Sequence, residues 1–258
     1  MLDLSKKRLF LFDLDGVFLK GKEHPVLIGG KKMLRKLRER RKKIFLLTNN
    51  STDTVEVVHA RVRGVGLPLR RAEILTSTRL TAEYVAKCYP RGTYFLVGET
   101  GFDQELRRLR LRRTRGHRAD VLVVGLDRKL TYSKLDDAVR VARNGADIVA
   151  THPARLYMYR HGPAVAVGPI LKAIEYGSGK KGVSIGKPSP LMFKLALAKS
   201  GCQRKEAVMV GDQEDTDIAG ASKVGIDSIL VLSGFEEPGR KTRAMAKVNN
   251  VDDLAELL

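Results

Sequence analysis

Apolar and polar positions alternate in blocks along this chain. Short runs rich in Leu, Val, Ile and Phe at 9–12, 44–47, 94–97, 121–124, 148–150, 208–210 and 229–232 have the length and composition of buried strands. Between several of them lie stretches with apolar residues at helical spacing, at 30–41, 135–143, 169–176, 190–199 and 215–224. Ser133 is expected to cap the second of these and Gly145 to stop it. Pro169 opens the third, Gly177 follows its end, and Gly225 closes the last. Strands alternating with helices predict parallel sheets covered on both faces, an α/β fold. Two places, Thr76 to Arg79 and the Gly/Lys-rich stretch 177–182, read as crossings between modules. The middle third is therefore expected as an insertion into a core built from the two ends.

Composition narrows the class. With 258 residues and 43% hydrophobic content the chain can bury a sizeable core. No apolar run approaches the roughly 20 residues that cross a bilayer, so no membrane partner is expected. Lys6, Lys7 and Arg8 precede an apolar run that ends at Asp13 without a small-residue cleavage site, so no signal peptide is expected. Cys88 and Cys202 lack metal-ligand spacing and point to a reducing cytoplasm. The net charge of +19 is concentrated at 31–43 and 107–115. Met33, Leu34 and Leu37 share one helical face, leaving the charges to water. No aromatic residues interleave with the basic ones, so a solvated face is favoured over a nucleic-acid surface. Abundant charge and the absence of Trp also fit a heat-stable protein.

The chemistry gathers at strand ends. The first run closes on Asp13-Leu14-Asp15-Gly16, two carboxylates on one side of Leu14 followed by a glycine that permits a sharp turn. The second closes on Thr48-Asn49-Asn50-Ser51, a hydroxyl and amides. Gly186-Lys187-Pro188 sets a cation between turn formers. The 208–210 run closes on Gly211-Asp212, with Asp215 and Asp217 just beyond. Each has an ordinary alternative as a helix cap, a surface charge or an acid on a helix dipole. Open α/β sheets carry their ligand-binding residues at these ends. Together the four supply hard carboxylates, a hydroxyl, an amide and a cation, which suits a Mg²⁺ site beside a phosphoryl pocket.

The order Asp-x-Asp-Gly, Thr-Asn-Asn-Ser, Gly-Lys-Pro and Gly-Asp-x-x-x-Thr-Asp resembles the haloacid dehalogenase (HAD) superfamily. The stretches 123–132, 143–146, 150–153 and 186–190 resemble its NagD-like branch, subfamily IIA. This resemblance implies a Rossmann-like parallel-sheet core, at 1–78 and 183–258, with a large inserted α/β cap at 79–182. It implies a phosphatase acting on a small phosphorylated metabolite. Asp13 would be the nucleophile, and Asp15 the general acid and base. Asp13, the Asp15 carbonyl and Asp212 would hold Mg²⁺. Thr48, the Asn49 amide and Lys187 would bind the phosphoryl group, with Asp217 and Gly211 in support. An Asp at position 15 implies turnover to water. A homodimer through the cap is a further implication.

The chain departs from the branch at Gln213, where relatives often carry Arg, and at Ala150-Thr151-His152-Pro153-Ala154, where they often read Ala-Thr-Asn-Pro-Asp. It departs again at 164–168, where relatives often have Pro-Gly-x-Gly. His152 and Arg155, with Tyr157, Tyr159, Arg160 and His161 close by, are expected to favour an anionic or polyhydroxy leaving group. The competing readings are a basic nucleic-acid-binding protein with an idle hydrolase fold, and a phosphotransferase or mutase.

Overall fold

The computed structural model describes residues 3–21, 24–159, 162–234 and 241–258. From the amino end run β1 (Leu9–Phe12), a small hairpin of β2 (Leu19–Lys20) and β3 (Val26–Leu27), α1 (Lys31–Glu39), β4 (Lys43–Thr48), α2 (Val55–Gly64) and β5 (Ile74–Thr76). There follow α3 (Ser77–Cys88), β6 (Thr93–Val97), α4 (Thr100–Arg108), β7 (Arg112–Arg113), β8 (Val121–Val124), α5 (Tyr132–Arg143) and β9 (Asp147–Ala150). The hairpin β10 (Leu156–Tyr159) and β11 (Gly162–Val165), α6 (Val167–Ser178) and β12 (Val183–Ser184) come next. The chain ends through α7 (Pro190–Ser200), β13 (Ala207–Gly211), α8 (Ala219–Ser222), β14 (Asp227–Val231) and β15 (Ala246–Val248).

Two compact units result. The first comprises residues 1–48, 56–75 and 190–258, and the second residues 49–55 and 76–189. The whole of 79–182 falls inside the second unit, which also takes in 49–55, 76–78 and 183–189.

The first unit is organised by one sheet in the order β15-β14-β13-β1-β4-β5. β1 pairs in parallel with β13 on one side and β4 on the other, with Phe12 level with both Val210 and Leu46. Leu9, Phe10, Leu11 and Phe12 are all fully buried. A continuous apolar run is what a strand covered on both faces requires, and each such side chain contributes about 1.5–3 kcal/mol. Met33, Leu34 and Leu37 of α1 are fully buried, as the helical stripe predicts. The amino end of α1 is capped from afar: Asp252 accepts hydrogen bonds from the N–H groups of Gly30 (3.0 Å) and Met33 (2.8 Å).

The second unit holds an all-parallel sheet in the order β12-β9-β8-β6-β7. An apolar cluster joins Phe95, Leu122, Val124 and Ile148 to Val141, Leu171 and Ile174 of α5 and α6. The basic stretch 107–115 ends α4 and forms the exposed edge strand β7.

Three expected boundaries shift. Thr131, not Ser133, caps α5, its hydroxyl accepting from Lys134 N–H at 3.2 Å, so the helix begins a turn earlier. Gly177 does not end α6. The helix runs on to Ser178 and closes at Gly179, whose φ of 71° lies in the left-handed region a helix terminus uses. The expected helix 215–224 opens as one wide π turn, Glu214–Ile218, before α8. There both Asp217 and Ile218 donate their N–H groups to the Gln213 carbonyl.

Candidate active site

In the first unit, parallel pairing puts the carboxyl ends of β1, β4 and β13 on one edge of the sheet. Asp13 follows β1 directly and donates its N–H to the Val210 carbonyl (3.0 Å), so it stands beside Gly211 and Asp212 at the end of β13. Thr48 closes β4 on the other side of β1 and is 2% exposed. Asp13, Asp212 and Asp217 each offer a carboxylate oxygen within 4.8 Å of the others, and all three are buried. Asp217, expected in a supporting role, offers one of these three oxygens. The π turn carries it back over the end of β13, where its carboxylate accepts from Gln213 N–H (3.2 Å).

Glycines make this packing possible. A methyl group on Gly211 would fall 2.3 Å from the Asp217 Cβ. One on Gly16 or Gly234 would fall 2.0 or 2.1 Å from Asp212 Oδ2. Asp212 is thus gripped between two bare backbones. Gly16 also has φ of 84° and donates to the Leu19 carbonyl at 2.7 Å, turning the chain back over Leu14. Its own carbonyl accepts from Ser233 Oγ (2.8 Å). Nothing in the sequence pattern marked Ser233 or Gly234. Asp15 is half-buried on the same turn.

In the second unit, Asn49 donates its side-chain amide to the Lys187 carbonyl (2.9 Å). Gly186 donates to the Thr151 carbonyl (2.7 Å), and a methyl group on Gly186 would lie 2.5 Å from Asn49 Oδ1 and 3.0 Å from His152 Cβ. Lys187 is 1% exposed. His152 is buried, and its Nδ1 accepts from Ala154 N–H (3.3 Å), which leaves the ring proton on Nε2. Asn49, Lys187 and His152 are thus gathered around one glycine. Arg155 follows three residues after His152. It is exposed and lines, with Lys172, Glu175 and Ser184, a cavity of about 430 Å³. Arg128 binds Glu99 through two nitrogens (2.8 and 2.7 Å) and lies 5.7 Å from the centre of the Tyr159 ring. Arg160 and His161 lie outside the described residues.

A cation suits the carboxylate trio on its donor chemistry: three hard oxygen ligands converge in a buried place where like charges repel. Among the described residues no helix is long and apolar enough to cross a membrane.

Comparison with known proteins agrees with this geometry. Residues 10–112 match a haloacid dehalogenase-like hydrolase model and residues 184–257 a second HAD-hydrolase-like model. The acid sugar phosphatase of Staphylococcus epidermidis is 33% identical over 225 residues, 87% of this chain and 86% of that protein. Among solved structures, p-nitrophenyl phosphatase from Archaeoglobus fulgidus has a TM-score of 0.91 at 32% identity, covering 98% of this chain and 99% of that one. The 4-nitrophenylphosphatase of Thermotoga maritima gives 0.91 at 31% identity, covering 98% of each chain. A structure described as a nagD protein gives 0.87 at 32% identity, covering 96% of each.

Proposed function

Because the chain belongs to the haloacid dehalogenase-like hydrolases, in their NagD-like branch, we propose that it is a Mg²⁺-dependent phosphatase of a small phosphomonoester, working through an aspartyl-phosphate intermediate. The buried trio Asp13, Asp212 and Asp217 at the strand ends is the observation that carries this reading.

Asp13 attacks phosphorus with a carboxylate oxygen, and the bond to the leaving oxygen breaks. Asp15 gives that oxygen its proton. Asp15, now a carboxylate, then takes a proton from water, whose oxygen attacks the phosphorus of the aspartyl phosphate. Inorganic phosphate leaves and Asp13 is restored. Thr48 and the Asn49 amide hold phosphoryl oxygens, and Lys187 offsets the negative charge that builds in the transition state. Asp13, the Asp15 carbonyl and Asp212 would hold Mg²⁺, with Asp217 as a fourth oxygen source. The ion supplies charge neutralisation between nucleophile and phosphate.

The substrate class rests on the relatives named for sugar phosphates and for p-nitrophenyl phosphate. His152 supports a polar or anionic leaving group, since its ring N–H is held in one tautomer by Ala154. Free Cys88 and Cys202 support a reducing, cytoplasmic setting. The homodimer through the second unit is supported by the outer face of the β10–β11 ribbon, where Leu156, Met158 and Val165 are 54%, 40% and 58% exposed.

Hydrolysis of p-nitrophenyl phosphate, with Mg²⁺ and with EDTA, tests the reading in wild type and Asp13→Asn. The expected result is metal-dependent turnover in the first and none in the second. Retained hydrolysis in Asp13→Asn would remove the nucleophile assignment.

A further inference from the structure

The sheet of the second unit has a place where its strand order reverses. β6 lies between β7, which follows it in sequence, and β8, which comes next after β7. Open parallel sheets take their ligands at the carboxyl ends of the two strands flanking such a point. Here the place is filled by the chain itself. A methyl group on Gly101, at the start of α4, would fall 2.2 Å from the Thr52 carbonyl oxygen. One on Gly125, just past β8, would fall 3.2 Å from the Ser51 carbonyl oxygen. Residues 51–53 thus lie where a foreign ligand would otherwise sit.

These residues belong to a strap that continues directly from Thr48 and Asn49. The strap is tied at its backbone. The Asn50 carbonyl accepts from Ser77 Oγ (2.7 Å) and the Asp53 carbonyl from Thr78 Oγ1 (3.0 Å). Asn50 Oδ1 accepts from the N–H groups of Thr52 (3.2 Å) and Asp53 (2.8 Å). At the far end the Val55 N–H donates to Glu105 Oε1 at 3.0 Å, a bond buried on both sides. Glu105 is 0% exposed, and its other oxygen accepts from Arg79 Nη1 (3.1 Å). A carboxyl group that deep needs such partners. One of its two oxygens goes to the strap.

We propose that Glu105 is a positioning residue for phosphoryl binding: by holding the Val55 amide it fixes the strap that carries Asn49. The inference rests on the phosphatase reading. A bond that places a phosphate-binding loop acts alike on substrate and transition state. Its loss therefore raises KM and leaves kcat almost alone.

The test measures p-nitrophenyl phosphate kinetics, competitive inhibition by inorganic phosphate, and hydrogen exchange at the Val55 amide. Glu105→Ala is expected to raise KM and the phosphate inhibition constant together by about tenfold, the equivalent of one charge-assisted hydrogen bond. The change in kcat stays within about threefold, and the Val55 amide exchanges faster. Glu105→Gln, which keeps an acceptor for Val55, restores most of the phosphate affinity, as loss of packing alone would not allow. If Glu105→Ala fails to fold, Gly101→Ala displaces the same strap from the Thr52 side and is expected to show the same joint rise. An unchanged phosphate inhibition constant in a folded variant with a faster Val55 amide overturns the positioning role and leaves the phosphatase reading standing. A wild type that hydrolyses no phosphomonoester overturns the phosphatase reading. Calorimetric phosphate affinity of the same variants then decides the role of Glu105 separately.

Discussion

Asp212 occupies the space that a side chain at residue 16 would need: a methyl group on Gly16 would stand 2.0 Å from Asp212 Oδ2. The carboxylate and the turn after β1 are therefore a single fitted piece. Gly16→Ala is expected to fail twice, through this clash and through a φ of 84° that costs a residue with a Cβ about 1–2 kcal/mol. Hydrolysis should fall at least about 100-fold, more than the stability loss alone explains, because Asp212 must move. Steady-state kinetics beside a thermal melt separate the two effects. A variant that melts several degrees lower yet keeps wild-type kcat/KM would refute the coupling.

Three buried carboxylates within 4.8 Å repel one another until a cation joins them. Mg²⁺ is therefore expected to raise the melting temperature of wild type and EDTA to lower it. Saturation at about 100 times the dissociation constant corresponds to about 2.7 kcal/mol. Asp212→Asn should shrink that metal-induced shift by more than half. Equal shifts in both proteins, measured by calorimetry, would take Asp212 out of the metal set.

Glu73, just before β5, binds Arg38 of α1 through both oxygens (2.8 and 2.7 Å) and accepts from Arg70 N–H (2.8 Å). Burial pulls its carboxyl up, but the bonds from Arg38 and Arg70 outweigh it and hold it below the ordinary carboxylate range. A depressed folded-state pKa means stability that is fully present above the unfolded value near 4.3 and is lost as pH falls through the folded one. Glu73→Gln should cost about 2 kcal/mol at pH 7, and the two proteins should converge only as pH falls through the depressed folded-state value. A difference that stays constant from pH 7 to pH 3 would show that the charge is not the cause.

The sequence was most legible where burial is total. The runs at β1, β8 and β13 are uninterrupted apolar stretches, and they fold as the strands the pattern predicts. It was least legible where a short element borrows its support. β10 and β11 carry Tyr, Met, Pro and Gly in no clear alternation, and they form a ribbon through the pairing of Leu156 with Val165 and Tyr159 with Gly162. Three of the four motifs could be read because they lie at the ends of β1, β4 and β13, whereas Lys187 lies three residues beyond β12. The residues that hold the motifs could not be read. Gly234 matters only because Asp212 reaches it, and Glu105 only because the chain brings Val55 to it across 50 positions. Asp217 was placed as a helical residue, and the π turn altered its reach.

Leu156, Met158 and Val165 line one side of the β10–β11 ribbon and stand in water. If the homodimer forms there, a Leu156→Asp, Val165→Asp double variant is expected to sediment as a monomer while wild type sediments as a dimer. Its hydrolysis of p-nitrophenyl phosphate reports whether pairing is needed for turnover. An unchanged sedimentation profile would place the dimer contact elsewhere or remove it.

β1 is synthesised well before β13, one of its two partner strands. Leu9 takes its second neighbour from Ala207, nearly the whole chain away. Throughout synthesis of the second unit the Leu-Phe-Leu-Phe segment has only β4 beside it. An apolar strand with one bare edge invites pairing with other chains. The large insertion therefore sets a waiting time during which a nascent chain is exposed to aggregation. Folding of the second unit by itself would shorten the search of β13 for β1 once both are made.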